Sequence, residues 1–300
     1  MSDIKLFQIS GQSVSELKGS SVALEKSLQN TIENNLNEFL GVKFLASEFV
    51  IKEGRMDTLG IDENNCPVII EYKRGKNDNV INQGLFYLDW LMEHKRDFEW
   101  LVMDKHGKEA ADAVEWSAPR LICIAGDFSR YDEHAIKQMG RNIELVRYRQ
   151  YESGLLLLEQ MTTASSPQQS GKSPEQQAAP KSYKTVSDNL EESPQELRER
   201  YEELKVRIET LGDDIQFKTL KFYFAFRRLK NFACVEVHKM TGDIIVFVKV
   251  DPESIELEEG FTSDVRNVGH FGTGDLKITI SNDSDIDKAM PLIEQSYLVS

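Results

Sequence analysis

The sequence lacks any long apolar run, and this absence excludes a helix that could cross a membrane. It is also poor in cysteine: Cys66, Cys123 and Cys234 are single, widely spaced and odd in number. That pattern excludes a disulfide framework and a cysteine-rich zinc site. The N-terminus has no basic cluster followed by an apolar segment, so the expected location is the cytoplasm.

Positive charge is in short supply as well. The 36 basic residues are outnumbered by 50 acidic ones, which gives a net charge of -14. Affinity for nucleic acid comes largely from lysine and arginine, so any nucleic-acid site in this chain must be locally basic. A chain of 300 residues with 40% hydrophobic residues predicts a folded protein of two domains.

A segment rich in Ser, Gln and Pro, from 162 to 190, predicts a flexible linker between domains at 1–161 and 191–300. In the first half, periodicity predicts helices and strands that together form an α/β mixed sheet flanked by helices. The predicted helices are Ser20–Leu40, 79–95, 107–115 and 131–139; the predicted strands are 47–52, 55–61, 67–73, Trp100–Met103, 120–128, "NIELVRYRQY" and "GLLLLEQM".

The second half predicts a smaller α+β domain. "SPQELRERYEELKVRIETLG" is typical of a charged helix with Ser193 as its N-cap. "FACVEVHKMTGDIIVFVKVD" predicts a hairpin that turns at Thr241-Gly242-Asp243.

The stretch "GRMDTLGIDENNCPVIIEYKRG" places charged residues on two strand-like runs. Strand alternation puts Glu71 and Lys73 on one face. If the turn "DENNC" is centred on Asn64, antiparallel register places Asp57 opposite Glu71, with Cβ atoms about 4.5–5.5 Å apart. Two opposed carboxylates favour a divalent cation such as Mg²⁺. A solvent-facing Glu71–Lys73 pair beside an ordinary turn aspartate is the alternative.

The surroundings favour the metal site. Arg55 precedes Asp57, and "RGK" follows Lys73 as a local basic cluster. Gln83 and Tyr87 are four residues apart and share a face of the next helix. Glu25 adjoins the apolar stripe of the first helix.

These motifs resemble the PD-(D/E)XK nuclease superfamily over residues 20 to 150, most closely the branch with NucS and RecB-type nuclease domains. The resembling motifs are "GRMDTLGI", "VIIEYKRG", "INQGLFYLDWL" and "LEKSLQ". Met56 stands where the superfamily name has proline. The sequence shows no counterpart of the domain that precedes the nuclease domain in NucS, so substrate choice does not follow from the resemblance.

The resemblance implies a restriction-endonuclease-like fold and phosphodiester hydrolysis. It implies that Asp57, Glu71 and the backbone carbonyl of Tyr72 bind Mg²⁺ or Mn²⁺, with Glu25 holding a second metal or a water. Lys73 would orient or deprotonate the attacking water, and Gln83 and Tyr87 would position the scissile strand. Arg55, Arg74 and Lys76 would contact phosphates, with a solvated strand end as the alternative for the last two. Packing of the helix on the sheet is the alternative role for Tyr87.

The glycine-rich stretch "GHFGTGD" is the unusual feature of the second half. It predicts either an anion-binding nest around His270 or a plain connection into the strand "LKITI". Residues 190–298 resemble a C-terminal domain of unknown function found in bacterial proteins. The stretch that holds Phe222 interleaves aromatic and basic residues, which we interpret as core aromatics with a basic rim.

The leading hypothesis is a metal-dependent nuclease that acts on DNA in repair or defence. Two alternatives stay open: a non-catalytic nucleic-acid-binding or regulatory protein with a nuclease-like fold, and an RNA-directed endonuclease. A homodimer is compatible with the sequence.

Overall fold

The computed structural model describes residues 4–20, 25–73, 80–164 and 185–300. The chain divides into two compact units, Met1–Gln168 and Gln169–Ser300. Most of the expected linker, residues 165–184, lies outside the described residues. At its ends, 162–164 belong to a strand and 186–191 form a helix.

The first unit contains a seven-stranded mixed sheet and, separately, a two-stranded hairpin. The hairpin consists of β1 (Leu6–Ser10) and β2 (Ser13–Leu17). The sheet has the order β3-β8-β7-β6-β5-β4, with β9 paired to β8. Its strands are β3 (Gly19–Ser20), β4 (Val42–Ile51), β5 (Gly54–Asp62), β6 (Pro67–Lys73), β7 (Arg120–Ala125), β8 (Asn142–Tyr151) and β9 (Leu156–Ala164). Strands β6, β7 and β8 are mutually parallel, and the other pairings are antiparallel.

Helices flank this sheet, which confirms the predicted α/β class. They are α1 (Glu25–Asn34), α2 (Leu36–Leu40), α3 (Val80–Glu93), α4 (Lys95–His106), α5 (Lys108–Asp112) and α6 (Arg130–Gln138). Side chains from α3, α4 and α6 share one buried apolar cluster with β4 to β8. Helix α1 contacts β5 and β6. The Thr58 hydroxyl donates to Glu33 of α1, whereas Leu59 belongs to the cluster with α3. Successive residues of β5 therefore contact different helices.

Two predictions in this unit are wrong. Trp100–Met103 is not a strand but part of α4, because Phe98 and Val102 are buried four residues apart, whereas Trp100 is 61% exposed. The single helix expected over Ser20–Leu40 is interrupted at Asn35, where α1 ends before α2 begins.

Asp62 holds the turn between β5 and β6 through hydrogen bonds that both of its carboxylate oxygens accept. Asp62 Oδ1 accepts from the backbone N–H groups of Asn64 and Cys66, both at 2.9 Å. Asp62 Oδ2 accepts from Arg120 Nη1 at 2.9 Å, and Arg120 also binds Glu144 through two nitrogens. These three charged side chains are buried. A buried ion network therefore fixes the length and shape of this turn.

The second unit is a six-stranded antiparallel sheet in the order β10-β11-β12-β13-β15-β14. The strands are β10 (Gln216–Thr219), β11 (Phe224–Arg227), β12 (Asn231–His238), β13 (Asp243–Val248), β14 (Thr262–Asp264) and β15 (Leu276–Ile280). Helices α7 (Val186–Glu191), α8 (Gln195–Glu209) and α9 (Asp283–Leu298) share one buried apolar cluster with the sheet. This is the α+β arrangement predicted from the sequence.

Local details differ from expectation in this unit. Ser193 does not cap α8; its hydroxyl donates to Asn189 O, and α8 begins after Pro194. The β12–β13 turn occupies 239–242, because His238 pairs with Asp243. Within the ranges described above, every helix is too short or too polar to span a bilayer.

Candidate active site

The β5–β6 ladder follows the register expected from a turn centred on Asn64. Thr58 pairs with Ile70 and Leu59 with Ile69. The next pair in this register would be Asp57 with Glu71. There the backbone N–H groups donate to side-chain carboxylates of the opposite strand. Asp57 N donates to Glu71 Oε1 at 3.2 Å, and Tyr72 N donates to Asp57 Oδ2 at 3.0 Å. Each carboxylate therefore accepts from the backbone of the opposite strand.

Glu71 is fully buried, and its Oε2 has no hydrogen-bond partner among the described residues. Leaving such an oxygen without a partner is costly. Burial, reinforced by the charge of Asp57, raises the pKa of Glu71 to about 8. Burial also raises the pKa of Asp57, against the opposing effects of the Tyr72 N–H and the Lys73 charge. The pair therefore retains a proton near neutral pH.

The pair is not part of a larger cluster in the described part of the chain. There, no group of three or more His, Cys, Asp or Glu side chains is arranged to hold a metal. Glu25, the third acidic residue expected at the site, begins α1, but its side chain falls outside what the structure describes. The arrangement seen is thus two facing carboxylates together with the main chain of Tyr72.

Helix α1 supports the pair from behind through two residues that sequence reasoning missed. Gln29 Nε2 donates to Asp57 O at 2.8 Å and to Glu33 Oε1 at 2.9 Å. The Thr58 hydroxyl donates to Glu33 Oε1 at 2.6 Å and lies 3.3 Å from the Tyr72 hydroxyl. Glu25, Gln29 and Glu33 follow at four-residue steps, which is the signal that could have identified them.

Lys73 ends β6, two residues beyond Glu71 and half-buried. Its charge is among the influences that lower the pKa of both carboxyl groups. The structure therefore brings together the three residues that the sequence singled out: Asp57, Glu71 and Lys73.

Gln83 and Tyr87 also come together, on α3. Gln83 Nε2 donates to the Tyr87 hydroxyl at 3.0 Å, and Arg55 N donates to the same oxygen at 3.1 Å. Tyr87 is only 3% exposed. A Cβ at Gly54 would lie 2.7 Å from the Tyr87 hydroxyl, so glycine is needed for this approach. Tyr87 thus anchors the start of β5 to α3.

Of the three basic residues expected to contact phosphates, the structure describes only Arg55. The Arg55 side chain is exposed, with its Nε 2.5 Å from Glu48 Oε2. Glu48 has a positive φ of 55° and also binds Lys26 at 2.7 Å. Arg74 and Lys76 lie outside the described residues.

Almost the whole chain is similar to one known bacterial protein. An uncharacterized protein from Haemophilus influenzae is 30% identical over 304 residues, which covers 98% of this chain and 99% of that protein. The chain belongs to the same family as this protein. Residues 186–300 of this chain match the family model of a domain of unknown function, DUF5655.

Two solved structures are similar to part of this chain. A repair endonuclease from Pyrococcus abyssi is 20% identical, with a TM-score of 0.29, over 42% of this chain and 47% of that one. The EndoMS–dsDNA2 complex is 18% identical, with a TM-score of 0.27, over 45% of this chain and 51% of that one. The chain thus overlaps about half of each structure, and at these scores the similarity does not assign an activity.

Proposed function

We propose that the first unit is a metal-dependent nuclease of the PD-(D/E)XK superfamily that hydrolyses phosphodiester bonds in DNA. The observation that carries this proposal is the end of the β5–β6 ladder. There Asp57 and Glu71 face each other, and Glu71 Oε2 is buried with no hydrogen-bond partner among the described residues. A structural carboxylate pair would be expected to have its oxygens satisfied.

The donor set fits a hard divalent cation. Carboxylate and carbonyl oxygens are the ligands that Mg²⁺ and Mn²⁺ prefer. A bound cation would stabilise the ionised carboxylates and so oppose the burial that raises their pKa values. We assign Asp57, Glu71 and the backbone carbonyl of Tyr72 as ligands, with Glu25 as a further ligand or water-holding residue. When bound, the cation would supply Lewis acidity and lower the pKa of a water.

Side chains of the protein would activate the water, bind the substrate phosphates and position the strand β5. Lys73 is close enough to influence both carboxyl groups, so it can orient the attacking water or accept its proton, and it can offset charge on the phosphate. Arg55, Arg74 and Lys76 would contact phosphates of the substrate strand. Gln83 and Tyr87 would act as positioning residues, because the Tyr87 hydroxyl holds the Arg55 N–H.

The decisive experiment combines cleavage with metal binding. Purified full-length protein is incubated with single-stranded, duplex and branched DNA and with RNA, in Mg²⁺ or Mn²⁺. Mg²⁺ and Mn²⁺ binding are measured by calorimetry. We expect Asp57→Asn and Glu71→Gln to lose both cleavage and metal binding. We expect Lys73→Ala to lose cleavage by about 100-fold or more while it still binds metal.

Matched controls are available. Asp104→Asn removes an exposed carboxylate on α4, and Lys52→Ala removes an exposed lysine in the β4–β5 turn. Both controls are expected to cleave like the wild type. Cleavage that persists in Asp57→Asn and Lys73→Ala would overturn the site assignment. Absence of cleavage together with absence of metal binding would favour a non-catalytic binding protein, and cleavage of RNA alone would overturn DNA as substrate.

A further inference from the structure

The glycine-rich loop of the second unit, residues 265–275, connects β14 to β15 and packs tightly on β12 and β13. A Cβ at Gly272, where φ is +81°, would lie 2.6 Å from Cys234 Cβ. A Cβ at Gly274, where φ is +149°, would lie 2.6 Å from Val248 N. Thr273 N donates to Cys234 Sγ at 3.4 Å. The glycines therefore allow a close approach that fixes the loop on the sheet.

Two consecutive residues of this loop stack on aromatic rings, one on β13 and one in the β10–β11 turn. The His270 ring lies 4.2 Å from Phe247 with an interplanar angle of 15°. The Phe271 ring lies 4.3 Å from Phe222 at 23°. Phe271 nevertheless remains 52% exposed. We call Phe222 and Phe271 the phenylalanine stack; one of its rings is presented to solvent by a loop that is held in place.

The phenylalanines of β10, β11 and the turn between them differ in their burial. Phe224 and Phe226 are buried in the core, and Phe217 packs against it, as the sequence predicted. Phe222 is half-buried and lies outside this core cluster. Burial of the Phe271 ring would have been favoured by the hydrophobic effect, yet the loop holds it at the surface.

Positive charge lies beside the phenylalanine stack. Lys221 Nζ is 5.0 Å from the Phe222 ring centroid. It belongs to the stretch 216–230, which contains basic residues but no acidic residue in an acidic protein. Aromatic rings next to lysine are the pattern that binds unpaired nucleotides, where a base stacks on the ring and the lysine meets a phosphate.

A groove of about 430 Å³ is lined in part by His270 and Gly272, the chain neighbours of Phe271. Its other lining residues are Lys249, Asp251, Thr273, Gly274 and Asp275. The volume lies in the range of about 300–1,000 Å³ that is usual for small-molecule sites. Its two carboxylates disfavour a phosphate but can accept N–H groups from the edge of a base, and Lys249 can donate to a base carbonyl.

We propose that the phenylalanine stack and this groove bind an unpaired nucleotide of a nucleic-acid strand. The base stacks on the exposed face of Phe271, its polar edge enters the groove, and a neighbouring phosphate meets Lys221. The proposal concerns binding alone, so it stands whether or not the first unit cleaves.

The test is fluorescence anisotropy with full-length protein in EDTA, using a labelled single-stranded oligonucleotide and the matching duplex. We expect the single strand to bind more tightly. Phe271→Ala should weaken its binding by about 10-fold, which is about 1.4 kcal/mol, because the stacked base loses its aromatic partner. Phe271→Tyr should retain the affinity. Lys221→Gln should make the slope of log K against log salt shallower by about 0.7.

Met240→Ala is the matched control, since Met240 is 89% exposed in the same unit. It should bind like the wild type. Unchanged binding in Phe271→Ala, or equal affinity for the duplex, would overturn the proposal. So would binding of free mononucleotides without strands, or a self-association that Phe271→Ala abolishes.

Discussion

Glu71 combines full burial, a carboxylate neighbour and an oxygen with no hydrogen-bond partner in the described part of the chain. Burial, followed by the charge of Asp57, raises its pKa from 4.5 to about 8. In the unfolded chain the carboxyl group returns to its ordinary pKa. Between these two values the folded protein holds a proton that the unfolded chain has released. Folding is therefore favoured by low pH at this residue.

For the metal-free protein, we expect the free energy of unfolding to fall as pH rises from about 4.5 to about 8, and to level off above that. The fall should be at most about 5 kcal/mol, since each pKa unit corresponds to about 1.4 kcal/mol. Glu71→Gln should remove it. Urea denaturation in EDTA at several pH values measures the effect.

Glu48→Gln serves as the control for this series. A hydrogen bond from Lys26 lowers the pKa of Glu48, so its contribution has the opposite sign and its loss leaves the fall intact. An unchanged pH profile in Glu71→Gln would show that Glu71 is ionised in the folded protein.

At the scale of helices and strands, short-range patterns predicted what depends on neighbours along the chain. Alternation and the turn at Asn64 predicted the β5–β6 register. Contacts between residues far apart in the sequence could not be predicted from these patterns. Gln29 donates to Asp57 O only because α1 packs on the sheet. The apolar run around Trp100 favoured a strand, although burial follows the spacing of Phe98 and Val102 in α4. A local pattern cannot report which face of an element will be covered.

Tyr87 shows how an element can be tied to the site. We expect Tyr87→Phe to lower the free energy of unfolding by about 1 kcal/mol, because the Arg55 N–H and Gln83 amide lose their shared acceptor. Chemical denaturation at constant pH measures this. Gln83→Ala combined with Tyr87→Phe should cost less than the sum of the two single changes.

Trp90→Phe, on the same helix, is a control that leaves this hydrogen bonding intact. If Tyr87 touched the substrate instead, its hydroxyl would matter for KM and not for stability. Unchanged stability in Tyr87→Phe would therefore contradict the anchoring role.

At the scale of the whole molecule, the second unit has a buried core of its own. Helices α7, α8 and α9 and the six-stranded sheet share one apolar cluster. Ser296 joins α9 to this sheet, as its hydroxyl donates to Phe232 O at 2.6 Å and accepts from Lys249 N at 2.8 Å. A domain of this size buries enough surface to fold alone.

We therefore expect residues 185–300, expressed separately, to fold cooperatively. Circular dichroism should show mixed helix and strand content, with one sharp thermal transition. Ile278→Asp, which places a charge in the core, should abolish that transition. A gradual melt of the unaltered fragment would contradict the independence of this unit.

The turn at Asp62–Cys66 has a consequence for how this family can vary. Surface turns usually tolerate insertions and deletions. Here one added or lost residue would shift β6 by one position against β5 and turn Glu71 to the opposite face from Asp57. The Arg120 network holds the turn at its present length. Insertions and deletions in this turn should therefore be absent from family members in which Asp57 faces the Glu71 carboxylate. A relative that has both residues but a turn of different length would lack this arrangement.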